Sequence, residues 1–409
     1  MKSDIPKLMQ DRRLDAIVVY GDTDTSSDLA YLTSGVHLER AMYLQACGDA
    51  PILFASPIER ENAAKTGLPV RLWSDYDIGG YLNAHDNDRL AATVAQFSDL
   101  LRDQGMQGRV GFYGLADQGY SYLFLSALAA ANPQIEIVGE IQPNLFSIAR
   151  QTKDAKELAA MQRVAGLTTE VIDSVFTFIQ SHGVQNETII KDDGCPLTVG
   201  DVKAHIRLEV AKRNLEEVHE NIFSQGRDAG VPHNRGQLDM PLRLGQSIIF
   251  DIFPRDRTTG YFHDITRTFF LGYAPEELAD RWQQIKIIFD ELLTNMRVGE
   301  QCSLYQHLTC DYFEALGYPT TRSDPKTKVG YNHSLGHGVG LDIHEGPGLS
   351  HLPDNTAVLQ PGHVVSVEPG LYYPDDGWGI RIEDTIAFDE HGNLVNLPVY
   401  PYEMVIPVG

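Results

Sequence analysis

"YNHSLGHGVGLDIHEGPG" (residues 331–348) places His333, His337 and His344 among five glycines, with only Asp342 and Glu345 for charge. Glycine lets backbone pass close to a ligand or to another strand. An imidazole in such a setting packs, binds a metal or moves a proton. The residues on either side of the stretch decide between these.

Four carboxylates lie in comparable surroundings: Asp251 in "IIFDIFP", Asp264 in "YFHDITRT", Glu368 in "SVEPG" and Glu383 in "RIEDT". Each sits on or beside an apolar, β-branched run that reads as a strand. Taken singly, an acid at a strand end is usually solvated, capping or salt-bridged. Taken together on one sheet, the four would crowd a confined site, and their repulsion is relieved only by protonation or by cations. With His337 they make five ligands, too many for one tetrahedral catalytic zinc with its three protein ligands and open position. The set suits two metals that share bridging carboxylates.

The pattern along the chain supplies such a sheet. "LDAIVVY" (14–20) and "RVGFY" (109–113) alternate with helical stretches such as 88–104, which predicts an α/β domain over residues 1–150. From Asp154 an amphipathic stretch begins, with Leu158, Met161, Val164, Ala165, Ile172, Val175, Phe176 and Ile179 near helical spacing. A second helix is predicted over 198–213, with Thr198 and Asp201 as a capping box and Val202, Ile206 and Val210 four apart. Strands follow in "SIIFDIFP" and "DITRTFFLGY". After Pro275 the order recurs: a helix to about Met296, a helix from Ser303 to Leu316 closed by Gly317, then the strands "HVVSVEPGLYY" and "GIRIEDTIAF". Residues 151–409 thus read as an α+β domain with a pseudo-twofold repeat of two helices followed by strands, visible in architecture and not in residue identity.

The chain of 409 residues is long for one core, which agrees with two domains. Asp and Glu number 56 against 33 Lys and Arg, a formal charge of −23 that repels nucleic acid and anionic membranes. The first residues lack an apolar run of signal-peptide length, and no later run reaches a membrane span, so the expectation is a cytoplasmic protein. Cys47, Cys195, Cys302 and Cys310 show no CxxC spacing and are expected to be reduced.

Four ordered segments, "GYFHDITRTF" (260–269), "HSLGHGVGLDIHEGP" (333–347), "LQPGHVVSVEPGLY" (359–372) and "GIRIEDT" (379–385), resemble the signature blocks of the creatinase and methionine aminopeptidase superfamily, and most of all its Xaa-Pro peptidase branch. "YLTSG" (31–35) is similar to the N-terminal domain of that branch and "ARQTKDAKELAAM" (149–161) to the start of its catalytic domain. The resemblance implies a pita-bread catalytic domain preceded by a creatinase-like α/β domain that restricts access and contributes to a homodimer. It implies hydrolysis of the bond before a proline at the second position of a short peptide, by a hydroxide activated between two divalent metals. Manganese or cobalt are the expected metals, with zinc and iron compatible. Carried onto this chain, Asp251 chelates one metal, Asp264 and Glu383 bridge both, and His337 with Glu368 completes the second. Glu368 is the implied general base, and His233 in "GVPHNRG" and His344 are the implied substrate-facing residues. Arg381 orients an adjacent carboxylate, and His333 supports the site as a hydrogen-bonded imidazole. His219 and His391 are read as a helix-end or surface residue and a turn residue, without chemistry.

Two departures stand out. Asp251 and Asp264 are 13 positions apart (264 − 251), longer than the family spacing, with "PRDRTTG" between the strands; a longer hairpin accommodates this. Gly348 stands where many dipeptidases of the branch carry an arginine that grips the carboxylate of a proline dipeptide, and no Lys or Arg occurs from 345 to 367. The expectation is therefore an aminopeptidase acting on longer Xaa-Pro peptides. Alternatives are a strict Xaa-Pro dipeptidase, a non-peptide C–N or ester hydrolase, and a non-catalytic binding module on the same fold.

Overall fold

A computed structural model describes residues 1–114, 117–397 and 400–409. The chain divides into two compact units, Met1–Arg150 and Gln151–Gly409. Among the described residues, no helix is long and apolar enough to cross a membrane.

The first unit is built on a six-stranded sheet of β1 (Ala16–Gly21), β2 (Ala41–Ala46), β3 (Ile52–Ala55), β4 (Val70–Leu72), β5 (Gly108–Tyr113) and β6 (Ile135–Val138), in the order β4-β3-β2-β1-β5-β6. β1 is central, antiparallel to β2 and parallel to β5. Its residues Ala16 to Val19 are all buried, as expected for a strand covered on both faces. The helix Arg89–Asp103 packs Phe97, Leu100 and Leu101 into the same core as Val18, Leu44 and Phe54.

The second unit opens with the helix Ala155–Gln180. Asp154 caps it, accepting from the Glu157 N–H while the Glu157 carboxylate accepts from the Asp154 N–H. A hairpin of β7 (Gly183–Gln185) and β8 (Thr188–Ile190) leads to the helix Val199–Lys212, whose Thr198 cap and Asp201 also form a capping box. Then come β9 (Leu215–Glu216), β10 (Ile222–Gln225), β11 (Ser247–Ile252), β12 (Arg255–Asp256) and β13 (Ile265–Leu271). The helices Glu276–Asn295 and Cys302–Ala315 precede β14 (Val364–Val367), β15 (Gly370–Tyr373), β16 (Trp378–Arg381), β17 (Glu383–Phe388), β18 (Leu394–Asn396) and β19 (Val405–Ile406).

The two halves share one sheet, ordered β10-β11-β13-β17-β14, with β18 beside β17 and β19 beside β13. Each helix pair packs mainly against the strands of its own half, with Phe270 of β13 joining the second core and Ile406 of β19 the first. Ile248, Phe250, Ile252, Ile265 and Phe269 join the core of the first pair, while Val365, Val367, Ile386 and Phe388 join that of the second. Because strand side chains alternate, burying Phe250 and Ile252 on one face turns Asp251 to the other. The two segments expected as single long strands are each broken. β14 and β15 are separated at Glu368–Pro369, and β16 and β17 at Ile382, so Glu368 and Glu383 both stand at an interruption.

The longer aspartate hairpin is also accounted for. Part of its insert forms β12, which pairs with β9 outside the main sheet. Asp251 and Asp264 still reach one cavity.

Candidate metal centre

Register brings the acids together. Asp251 pairs with Thr266 across β11 and β13, and Thr266 pairs with Glu383 across β13 and β17. Directly paired residues share a face about 5 Å apart, so these three form a row. Asp264 is two positions from Thr266 and on the same side. Val367 pairs with Asp384, which puts Glu368 one step beyond, level with Glu383. The segment 335–339 runs beside β14: Ser366 N–H donates to the His337 carbonyl at 2.7 Å and Glu368 N–H to the Leu335 carbonyl at 2.8 Å. That contact delivers His337 to the carboxylates.

The approach requires glycine. A Cβ on Gly336 would lie 2.0 Å from the Ser366 carbonyl oxygen, and one on Gly338 2.1 Å from that of Gly346. Gly338 and Glu345 exchange both backbone hydrogen bonds, closing the turn that holds His344. Glu345 accepts from the Leu341 and Asp342 N–H groups and from buried Lys153 at 3.1 Å, fixing that turn from beneath. The rings of His337 and His344 meet edge to face with centroids 4.3 Å apart.

These side chains line a cavity of about 360 Å³, within the range of small-molecule sites. Asp251, Asp264, Glu383 and Arg381 are buried at its floor, while His219, His233, His344 and Arg235 stand exposed at its mouth. Gly348 does not line it, and a Cβ there would meet open space.

The electrostatics are those of a cation site. Burial, reinforced by Glu383 and Asp251, raises the Asp264 carboxyl well above its ordinary range. Burial and Glu383 do the same to Glu368, and burial with Asp251 pushes Glu383 up to about 7. Asp264, His337 and Glu383 each offer a ligand atom within 4.8 Å of the others. His337 Nδ1 faces the Gly338 carbonyl at 3.0 Å, an acceptor, so Nδ1 carries the proton. Burial lowers this imidazole to about 4, which keeps it neutral. Its Nε2 lone pair therefore points at Asp264 Oδ2 and Glu368 Oε1, each 3.6 Å away. Asp251 Oδ1 and Asp264 Oδ1 are buried without a hydrogen-bond partner. Acceptors facing acceptors in a buried pocket are reconciled by protons or by metal ions, and the mixed oxygen and imidazole set fits divalent ones.

Supporting contacts surround the acids. Arg381 donates to Asp251 Oδ2 at 2.5 Å, to Thr266 Oγ1 at 3.1 Å and to Tyr372 Oη at 3.0 Å. Thr266 donates to Glu383 Oε2 at 2.6 Å. His333 does not line the cavity. Its Nδ1 donates to the Ser334 carbonyl, so its Nε2 accepts from the Tyr372 hydroxyl at 2.9 Å and reaches the site through Arg381.

Thr266 and Tyr372 were absent from the sequence-derived set, although Thr266 follows Asp264 by two on a strand and must share its face. His219 is exposed, in keeping with a surface residue, and it also stands on the cavity wall, in the loop after β9. Glu220, Arg235, Phe253 and Ile343 also line the wall; their nearness in sequence to His219, His233, Asp251 and His344 is the signal that could have found them.

Comparison with known proteins bears on the fold and the family. The "uncharacterized peptidase YqhT" of Bacillus subtilis is 28% identical over 260 residues, 63% of this chain and 65% of that relative. The alignment thus spans less than two thirds of the relative's length. The structure of the prolidase from Pyrococcus horikoshii OT3 superposes with a TM-score of 0.75 at 20% identity, covering 98% of this chain and 99% of that one. That of the X-Pro aminopeptidase from Thermotoga maritima MSB8 gives 0.75 at 19%, covering 97% and 99%. The fold is the one these structures share, an N-terminal domain followed by a pita-bread domain. The model of metallopeptidase family M24 matches residues 159–390, more than half of the sequence, and the chain belongs to that family.

Proposed function

We propose that this chain hydrolyses the peptide bond between an N-terminal residue and a following proline, with Asp251, Asp264, His337, Glu368 and Glu383 holding two divalent cations. The observation that carries the proposal is the convergence of the neutral His337 lone pair and the carboxylates on one cavity, with two buried carboxylate oxygens lacking partners. Asp264 and Glu383 are central in the cluster and suited to be shared, with Asp251 on one flank and Glu368 and His337 on the other. Bound cations would lower the pKa of a water and polarise the scissile carbonyl. Manganese or cobalt is favoured.

The chain's own residues supply the rest. Glu368 takes the proton from the attacking water and returns it to the departing proline nitrogen. His233 and His344, at the mouth, hydrogen-bond the substrate carbonyl as negative charge develops on its oxygen. Arg381 fixes Asp251, and Thr266 fixes Glu383. Gly348 offers no charge to a dipeptide carboxylate, which favours Xaa-Pro aminopeptidase over dipeptidase action.

The test is turnover of Xaa-Pro-Yaa against Xaa-Ala-Yaa by metal-stripped, manganese-reconstituted protein. Release of the first residue from the proline peptide alone, lost in Asp264→Asn, is the expected result. Two bound metals without turnover of either peptide would point to another C–N or ester substrate.

A further inference from the structure

Two guanidinium groups reach the cavity, and they are in opposite situations. Arg381 is buried and spends its donors on Asp251, Thr266 and Tyr372. Arg235 has a side chain 54% exposed at the mouth, and among the described residues its guanidinium donates no hydrogen bond. Its nearest acid, Glu220 Oε2, lies 3.7 Å from Nη1, too far for one.

Among the described residues, Arg235 keeps its hydrogen-bond donors unused, because the Glu220 carboxylate it faces as an ion pair is hydrogen-bonded by another cation. Lys203 projects from the helix Val199–Lys212 and is fully buried. It donates to Glu220 Oε1 at 2.8 Å and to the Arg235 carbonyl at 2.7 Å. One buried ammonium thus satisfies the rim's carboxylate and pins the backbone that carries the rim's guanidinium. The same two loops bear His219 and His233, which also line the cavity. A fork of planar donors held over a polar cavity is suited to a carboxylate.

We infer that Arg235 reads a carboxylate on the substrate and so selects short Xaa-Pro peptides that end one residue past the proline. This rests on the peptidase reading above. Arg235 follows His233, assigned above to the scissile carbonyl, by two positions on the same loop and carries the longer side chain, so the carboxylate it meets belongs beyond the scissile bond. A cavity of about 360 Å³ also suits a short peptide better than a folded chain. Gly348 lies outside the cavity and offers no charge, whereas Arg235 lines it and supplies a cation.

Manganese-loaded protein is assayed on Ala-Pro-Ala as the free acid and as the C-terminal amide. The acid is expected to have the higher kcat/KM by about tenfold or more, mainly through KM, as befits a charge-assisted hydrogen bond. In Arg235→Gln the acid-to-amide ratio is expected to fall to about one, and Arg235→Lys to lie between. Recovery of rate with Ala-Pro-Asp-amide would support carboxylate reading from a side chain as well as a terminus. Equal rates for acid and amide in the wild type, or equal losses on both in Arg235→Gln, overturn the inference and leave the peptidase reading standing. No turnover of either by the wild type overturns both.

Discussion

Arg381 and Asp251 form a buried ion pair, Nη2 to Oδ2 at 2.5 Å, and the same guanidinium reaches Thr266 and through it Glu383. One side chain therefore orients carboxylates on two strands. Lysine keeps the charge and loses the fork. Arg381→Lys is expected to weaken metal binding about 10–100-fold, measured by competition with a calibrated chelator. Unchanged affinity would mean that strand register alone orients Asp251.

Gly338 faces the Gly346 carbonyl so closely that a methyl group forces the two backbones apart. Gly338→Ala is expected to displace His337 and His344 together and lower kcat about 10²-fold, since a shift near 1 Å costs that much. Gly348→Ala enters open space, and its stability is expected to stay within about 0.5 kcal/mol of wild type. Thermal unfolding and steady-state kinetics on both variants separate strain from the mere presence of a methyl group.

His363 is buried, and burial lowers it to about 4. The unfolded imidazole titrates near 6.5, so between these values the unfolded state binds more protons. The stability His363 contributes is complete above pH 6.5 and is lost as pH falls towards 4, with a limiting slope of about 1.4 kcal/mol per pH unit. Its Nδ1 accepts from the Gln360 N–H, and asparagine preserves an acceptor there. His363→Asn is expected to flatten the stability profile between pH 7 and pH 5 in urea titrations; an unchanged slope would assign the acid lability to other buried histidines.

Helices and ligand candidates were legible because their signals are local. Both capping boxes, the 154–180 helix and the five polar residues in apolar or glycine-rich surroundings are patterns within a few residues of one another. Which acids share a row was not legible, because the pairing of Thr266 with Asp251 and Glu383 is a property of three strands at once. Of the two strand breaks, the one at Glu368 had a signal in the Pro369-Gly370 that follows it, whereas the run through Ile382 gives no sign of where its pairing ends. Lys203 escaped for a related reason: periodicity marks Val202, Ile206 and Val210 as the inward face, and a charge beside Val202 reads as solvent-facing until Glu220 and the Arg235 carbonyl are seen to receive it.

The hydrogen bond from Thr266 to Glu383 spans 117 positions. During synthesis the first two acids leave the ribosome on the order of ten seconds before the last. Until then Asp251 and Asp264 lack His337, Glu368 and Glu383, which share their cavity in the folded chain. On the two-metal proposal, ion capture would therefore be a late, post-assembly event, with the ion chosen by the completed cage and the surrounding metal pool and not by the nascent chain.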